Sequence, residues 1–299
     1  MRERFLSLKV LFAVMMMLTL ASSASAATYS ETVIADNPDG YYKLDSVGLN
    51  GAVANSHGSG EAGTAGAGVT FGHPGAGPST GTSAYFDGDV SNGSLIRILD
   101  TNHALDLVTG TPFSVEYWMK PETLPSGANA HVVSRSCSGA GCSPTGADAF
   151  VVNSPSGGVL FHTDGWAGGK HRADTPGGVV DVANNAGAWY HVVATYNGSD
   201  TQAVYVNGGT LAGGVQATGT INKPLGAAPD GDWFFGTLGD GTIAKTDDYK
   251  GYIDEVAIYS SVALSAEQVA AHYAAVPEPS TIVLLVFGPA MLWVLRRSR

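Results

Sequence analysis

The chain of 299 residues is short of cysteine, of positive charge and of helical periodicity. It has two cysteines, Cys137 and Cys142. Two thiols do not complete a structural zinc site, which takes four nitrogen or sulfur ligands. Their spacing is also not the Cys-x-x-Cys of a redox motif. In an exported chain a single close pair predicts a disulfide stapling one loop, worth about 2 kcal/mol in the chain-entropy model. Lys and Arg number 15 against 26 Asp and Glu. Six of the basic residues (Arg2, Arg4, Lys9, Arg296, Arg297, Arg299) lie at the two apolar ends, with only Glu3 and Glu278 of the acids. The part between holds nine basic and 24 acidic residues, a net charge near −15. That argues against nucleic acid as a partner, because phosphates need basic patches, and against docking on anionic lipid.

Catalytic runs are missing too. The eight His are scattered, without an H-x-x-x-H or H-E-x-x-H pattern. Gly77-Pro-Ser79-Thr-Gly81 matches G-x-S-x-G, but it lies in a Gly/Pro-rich loop, and the motif needs a strand-to-helix elbow. Gly58-Ser-Gly60-Glu-Ala-Gly63 matches G-x-G-x-x-G without the flanking strand and helix of a dinucleotide site.

What is present is a series of short runs rich in Val, Tyr, Phe, Trp and Thr, punctuated by Gly, Asn and Asp. Such spacing predicts an antiparallel sandwich or barrel. In FSVEYWMKP, Phe113, Val115, Tyr117 and Met119 share one face, and Ser114, Glu116, Trp118 and Lys120 the other. WYHVVATYNGSDTQAVYVNG reads as a hairpin whose turn begins at Asn197-Gly198. The stretch from Asn50 to Ser83 is poor in large apolar residues and reads as a long surface excursion. One helix is expected near the end. Ser265-Ala-Glu-Gln268 matches a capping box, and Val269, Tyr273 and Val276 follow on one side.

The two ends read as targeting segments. Arg2, Arg4 and Lys9, then the apolar run Val10 to Ala21, then Ala24-Ser25-Ala26 have the three-part layout of a secretory signal peptide, predicted to be cut after Ala26. At the other end Thr281 to Leu295 carries no charge and is short for a bilayer core of about 30 Å. The arginines after it orient the preceding domain to the outside by the positive-inside rule. Pro277-Glu278-Pro279, a short apolar segment, then Arg296 and Arg297 resemble the PEP-CTERM sorting signal of Gram-negative bacteria. That resemblance implies recognition and processing by an exosortase, transient anchoring in the inner membrane, and a final place at the cell surface or in the extracellular matrix. The expected organisation is a signal peptide at 1–26, one domain at 27–276 and a sorting segment at 277–299.

The domain itself resembles the LamG-like group of concanavalin A-like jelly rolls. GYYKLDS (40–46) resembles the family's opening strand. SAYFDG with FSVEYWMKP (83–121), the hairpin of 188–208, and YKGYIDEVAIYSSVALSAEQVAAHY (249–273) follow in the family's order. The resemblance implies an all-β fold of two antiparallel sheets with a short C-terminal helix. It also implies a binding role, towards carbohydrate, exopolysaccharide or a surface protein. In related domains the Asp of the closing strand is a calcium ligand, which would make Asp254 a Ca²⁺ ligand here, with Asp87 and Asp45 as further candidates. Asp254 shares strand parity with Tyr252, Val256 and Ile258, and a carboxylate on an apolar face calls for a metal or a charged partner. Sugar binding needs exposed aromatic faces beside polar groups. Trp166, flanked by His162, Asp164 and Arg172, is the expected ligand site, and Trp233 is expected in the core or its rim. Glucanases of this architecture carry an E-x-D-x-x-E run, which is absent here. The nearest acids, Glu116 and Glu122, are separated by Trp118 and Pro121. The expectation is an exported, non-catalytic binding protein. A purely structural matrix role and an unrecognised glycoside hydrolase are the alternatives.

Overall fold

The protein is described by a computed structural model covering residues 27–108, 110–127, 129–137, 148–164, 171–221, 231–239 and 248–276. The signal peptide, the sorting residues Pro277, Glu278, Pro279, Arg296 and Arg297, Trp166 and Cys142 lie outside the described residues, and with Cys142 the disulfide pairing to Cys137. Among the described residues no helix is long and apolar enough to cross a membrane.

Two eight-stranded antiparallel sheets face each other. The first holds β1 (Gly40–Tyr42), β4 (Val69–Pro74), β5 (Thr82–Asp87), β7 (Phe113–Pro121), β12 (Tyr190–Tyr196), β13 (Thr201–Val206), β14 (Val215–Thr220) and β16 (Lys250–Tyr259). Its order is β14-β13-β12-β7-β16-β5-β4, with β1 also on β16. The second holds β2 (Ala52–Val53), β3 (Gly63–Ala65), β6 (Ile96–Ile98), β8 (Ala130–Cys137), β9 (Asp148–Asn153), β10 (Val159–Asp164), β11 (His171–Asp174) and β15 (Gly231–Phe235). Its order is β11-β10-β9-β8-β15-β6-β3-β2.

The alternation in β7 works as its sequence requires. Phe113, Val115, Tyr117 and Met119 enter the core between the sheets, where they meet Val192, Val204, Phe161, Phe235 and Ile253. Each fully buried side chain of this kind contributes roughly 1.5–3 kcal/mol. Trp233 belongs to this core, and its indole N–H donates to the Leu105 carbonyl at 3.2 Å. The hairpin turn is closed by the Asn197 side chain, which accepts from the backbone N–H groups of Ser199, Asp200 and Thr201. Gly198 adopts φ +85°, where a side chain would also run into Gly110 and Pro112.

The excursion of 50–83 differs from its expectation. It supplies β2, β3 and β4 at the sheet edges. Its small residues do not fill a core by themselves, yet Val53 and Val69 reach inward while their neighbours stay exposed. Edge pairing through the backbone asks little of side chains, so low hydrophobicity did not forbid strands there.

Two helices, α1 (Tyr29–Ala35) and α2 (Ala266–Ala274), lie on the outer face of the first sheet. The predicted capping box of α2 is present, Ser265 with Gln268. Helix α1 was not expected. Its capping box, Thr28 with Glu31, was a readable signal in a segment too short for periodicity to show. Together with Trp118, Val193, Tyr41, Tyr205 and Tyr259 the helices bury a second apolar cluster.

Candidate functional site

The outer face of the first sheet has two ends with different chemistry. Under the helices lies Glu116, fully buried. His191 Nε2 donates to its Oε1 at 2.7 Å, and the Tyr29 hydroxyl donates to the same oxygen at 2.8 Å. His272 Nδ1 donates to its Oε2 at 2.8 Å, while His272 Nε2 donates to Asp36 at 2.9 Å. With a carboxylate at each ring nitrogen, His272 is held as an imidazolium. Burial opposes that charge, but the attraction of Glu116 and the hydrogen bonds to Glu116 and Asp36 prevail and raise its pKa to about 9. Burial would raise the Glu116 carboxyl. The charge of His272 and the hydrogen bonds of both histidines outweigh it and hold Glu116 well below the usual carboxylate range. Tyr29 and Asp36 bracket α1, and His272 lies on α2, so this network pins both helices to one sheet.

A second group sits at the bulge in β16. The register slips between Asp254 and Ala257, with Glu255 at φ +54°. The slip reverses the parity read from the sequence. Val256 and Ile258 point into the core between the sheets. Asp254 instead lies opposite Trp118, whose side chain belongs to the helix-covered outer cluster. Asp254 Oδ2 accepts from the Ala76 N–H at 3.0 Å, and its Oδ1 is buried without a partner. Burial, then the charge of Glu255, pushes the Asp254 carboxyl well above its ordinary range. Burial likewise lifts Glu255 to about 8, although the Tyr41 hydroxyl donates to it. Asp45 meets the same loop, accepting from the Thr82 N–H at 2.7 Å. A Cβ on Gly75 or Gly81 would strike the Asp254 or the Asp45 carboxylate, so the loop of residues 75–81 closes down on both. An orphaned carboxylate oxygen and a second carboxylate are oxygen donors of the kind a hard cation takes. Asp87 does not join them. It stands at the far end of β5, roughly 16 Å from Thr82 at ~3.3 Å per residue, where it accepts from Asp89 and Asn92. Among the described residues no three His, Cys, Asp or Glu side chains form a metal-holding group.

The open end of the same face carries a row of aromatic side chains. Lys120 pairs with Tyr252, and Tyr252 with Tyr85, on neighbouring strands. Tyr85 and Tyr252 are 4.9 Å apart between ring centroids. His73 packs edge-on against both, at 5.9 Å and 5.3 Å. Trp189 lies 6.4 Å from Tyr252. All five are partly exposed. From Trp189 to His73 the row crosses the sheet from β12 to β4, roughly 19 Å at ~4.8 Å per strand. Glu122 lies beside it, bound by the Tyr85 hydroxyl at 2.9 Å and by Lys250 at 3.2 Å. Sequence reading missed this row because its members come from five separate segments. Only the strand register makes them neighbours.

Of the expected ligand residues, His162 and Arg172 are cross-strand partners at the edge of the second sheet. Arg172 pairs with Asp174 at 2.6 Å, and His162 Nε2 lies 3.7 Å from Asp174. Asp164 ends β10 beside them. Ser79 of the G-x-S-x-G match donates its hydroxyl to the Ala275 carbonyl, at the end of α2.

A family model described as the concanavalin A-like lectin/glucanases superfamily (Laminin_G_3) matches residues 97–270, more than half of the chain. The chain belongs to this superfamily. Several solved structures of similar fold are binding domains by name. That of Paraclostridial Mosquitocidal Protein 1 is 15% identical with a TM-score of 0.58, over 80% of this chain and 52% of the other. The Botulinum Neurotoxin serotype G binding domain is 14% identical with a TM-score of 0.58, over 79% and 50%. The Botulinum Neurotoxin DC binding domain in complex with SialylT is 12% identical with a TM-score of 0.55, over 82% and 52%. At these identities the likeness is one of fold, and the chain spans about half the length of these structures. No curated protein matches it. The concanavalin A-like assignment accounts for the two antiparallel sheets and leaves the ligand to be argued from the side chains.

Proposed function

We propose that this protein is exported and non-catalytic, and that it binds carbohydrate at the cell surface or in the extracellular matrix. The observation that carries the reading is the exposed row Trp189, Tyr252, Tyr85 and His73 on an otherwise acidic molecule. Ring faces flanked by hydrogen-bonding groups suit the apolar faces and hydroxyls of sugars. The SialylT named in complex with one similar binding domain supports a glycan ligand. The Arg172, Asp174 and His162 group at the edge of the second sheet is the competing patch. Screening the whole chain on a glycan array, beside Tyr252→Ala and Arg172→Ala, tests the reading. Loss of signal in Tyr252→Ala supports the aromatic row. Loss only in Arg172→Ala moves the site to the second sheet. The absence of any glycan signal would leave a purely structural matrix role.

Asp254 at the bulge, with Asp45 beside the same loop, would hold a structural Ca²⁺, which would neutralise the buried Asp254 carboxylate. A melting midpoint unchanged by chelator would overturn this. The terminal segments would route the chain through an exosortase, leaving a mature form that ends near Val276. Peptides covering Leu292 to Arg299 in the secreted form would contradict that route.

A further inference from the structure

Six Lys and Arg side chains lie among the described residues. Arg97, Arg135, Arg172 and Lys250 are each paired with a carboxylate, respectively Asp232, Asp106, Asp174 and Glu122. Lys43 lies 6.0 Å from the Tyr41 ring centroid and within the field of Glu255. Lys120 differs from all of these. Its ammonium lies 3.9 Å from the Tyr252 ring centroid and 5.0 Å from that of Trp189. It has no carboxylate partner among the described residues, and it stands in the middle of the aromatic row. The nearby Glu122 is already bound by Lys250 and by the Tyr85 hydroxyl. Partial burial lowers the Lys120 pKa, since the rings solvate the ammonium less well than water does.

Resting on the carbohydrate reading above, we infer that the row selects acidic polysaccharide, with a uronate sugar stacked on the rings and its carboxylate paired to Lys120. The rings hold the ammonium at the level of a stacked sugar, and a charge-assisted hydrogen bond in that partly desolvated place is strong. A neutral sugar would leave Lys120 without an anionic partner, so the site discriminates by an unmet charge. Long-range repulsion from the acidic body weakens the approach of any polyanion. Specificity therefore rests on the short-range pair at Lys120.

The test is titration of the whole chain, in mild detergent, with oligogalacturonate and alginate oligomers and with the carboxyl-reduced neutral form of each. Wild type is expected to bind at least one acidic form tenfold or more tighter than its reduced counterpart. In Lys120→Met, which keeps the aliphatic stem packed, that ratio should fall to near one, and Lys120→Arg should restore most of it. Circular dichroism confirms that each variant is folded. Equal affinity for acidic and reduced forms in wild type refutes the inference, as does a ratio that survives Lys120→Met. Binding confined to neutral glycans refutes the inference and leaves the carbohydrate reading standing. Binding to no glycan at all refutes both.

Discussion

Glu116 and Lys120 lie on one strand, four residues apart, and face the same way. Their surroundings differ in nearly everything else. Glu116 is sealed beneath two helices in a network of two histidines, two tyrosines and a second carboxylate. Lys120 is partly exposed on aromatic rings, with no such cover. The strand pattern puts both outside the core between the sheets. What separates them is where α1 and α2 end. Under the helices, charge must be paired inside the protein, and the result is a clasp for the two helices. Beyond the helices, the same kind of face stays open, and its cation rests on aromatic rings with no carboxylate partner among the described residues.

The comparison breaks first at its covered end. Glu116→Ala leaves a buried imidazolium without its main partner, and a loss of about 3–5 kcal/mol is expected in urea unfolding. A loss below about 1 kcal/mol would show that the network is incidental. His272 sharpens the same point through pH. Its folded pKa of about 9 lies above the ordinary 6.5. The stability it adds is therefore fully present below pH 6.5 and lost as pH rises through about 9, a span of about 3 kcal/mol. The stability difference between wild type and His272→Gln should shrink along that alkaline limb. If the two pH profiles stay parallel, His272 is not charged in the fold. A smaller effect comes from Thr28→Ala, which removes the α1 cap and should cost about 1 kcal/mol, read as a lowered melting midpoint. At the open end Tyr252→Ala should change stability by less than about 1 kcal/mol, the scale of cross-strand pairs. Its glycan affinity should fall by roughly tenfold or more, as for an aromatic hot spot. A large stability loss with unchanged binding would reverse the roles given to the two ends.

Much of this arrangement was legible before folding. The inward face of β7, the Asn197-Gly198 turn and the Ser265 capping box all follow from local rules, and each appears where its residues predict. Three features were not legible, for separate reasons. Helix α1 is only seven residues long, so its cap was its only signal. The strands of 50–83 pair through backbone at sheet edges, where side-chain composition says little. The bulge at Glu255 adds a residue to β16 and so inverted the faces assigned to Asp254, Val256 and Ile258. Among the candidate ligands, Asp254 and Asp45 both meet the loop of residues 75–81 while Asp87 does not, since Asp87 stands at the far end of β5.

By itself the sequence determined the two-sheet class, the shared face of Phe113, Val115, Tyr117 and Met119, and the hairpin turn, because those depend on spacing within a few residues. Only the tertiary structure decided which outward side chains would be clasped and which left open. Strand register sets His73, Tyr85, Lys120, Trp189 and Tyr252 in one row from positions as much as 179 residues apart. Helix docking brings His272 onto Glu116 across 156 residues. Such neighbours are chosen by the pairing of whole strands and the packing of helices on them, and no short stretch of chain records that choice.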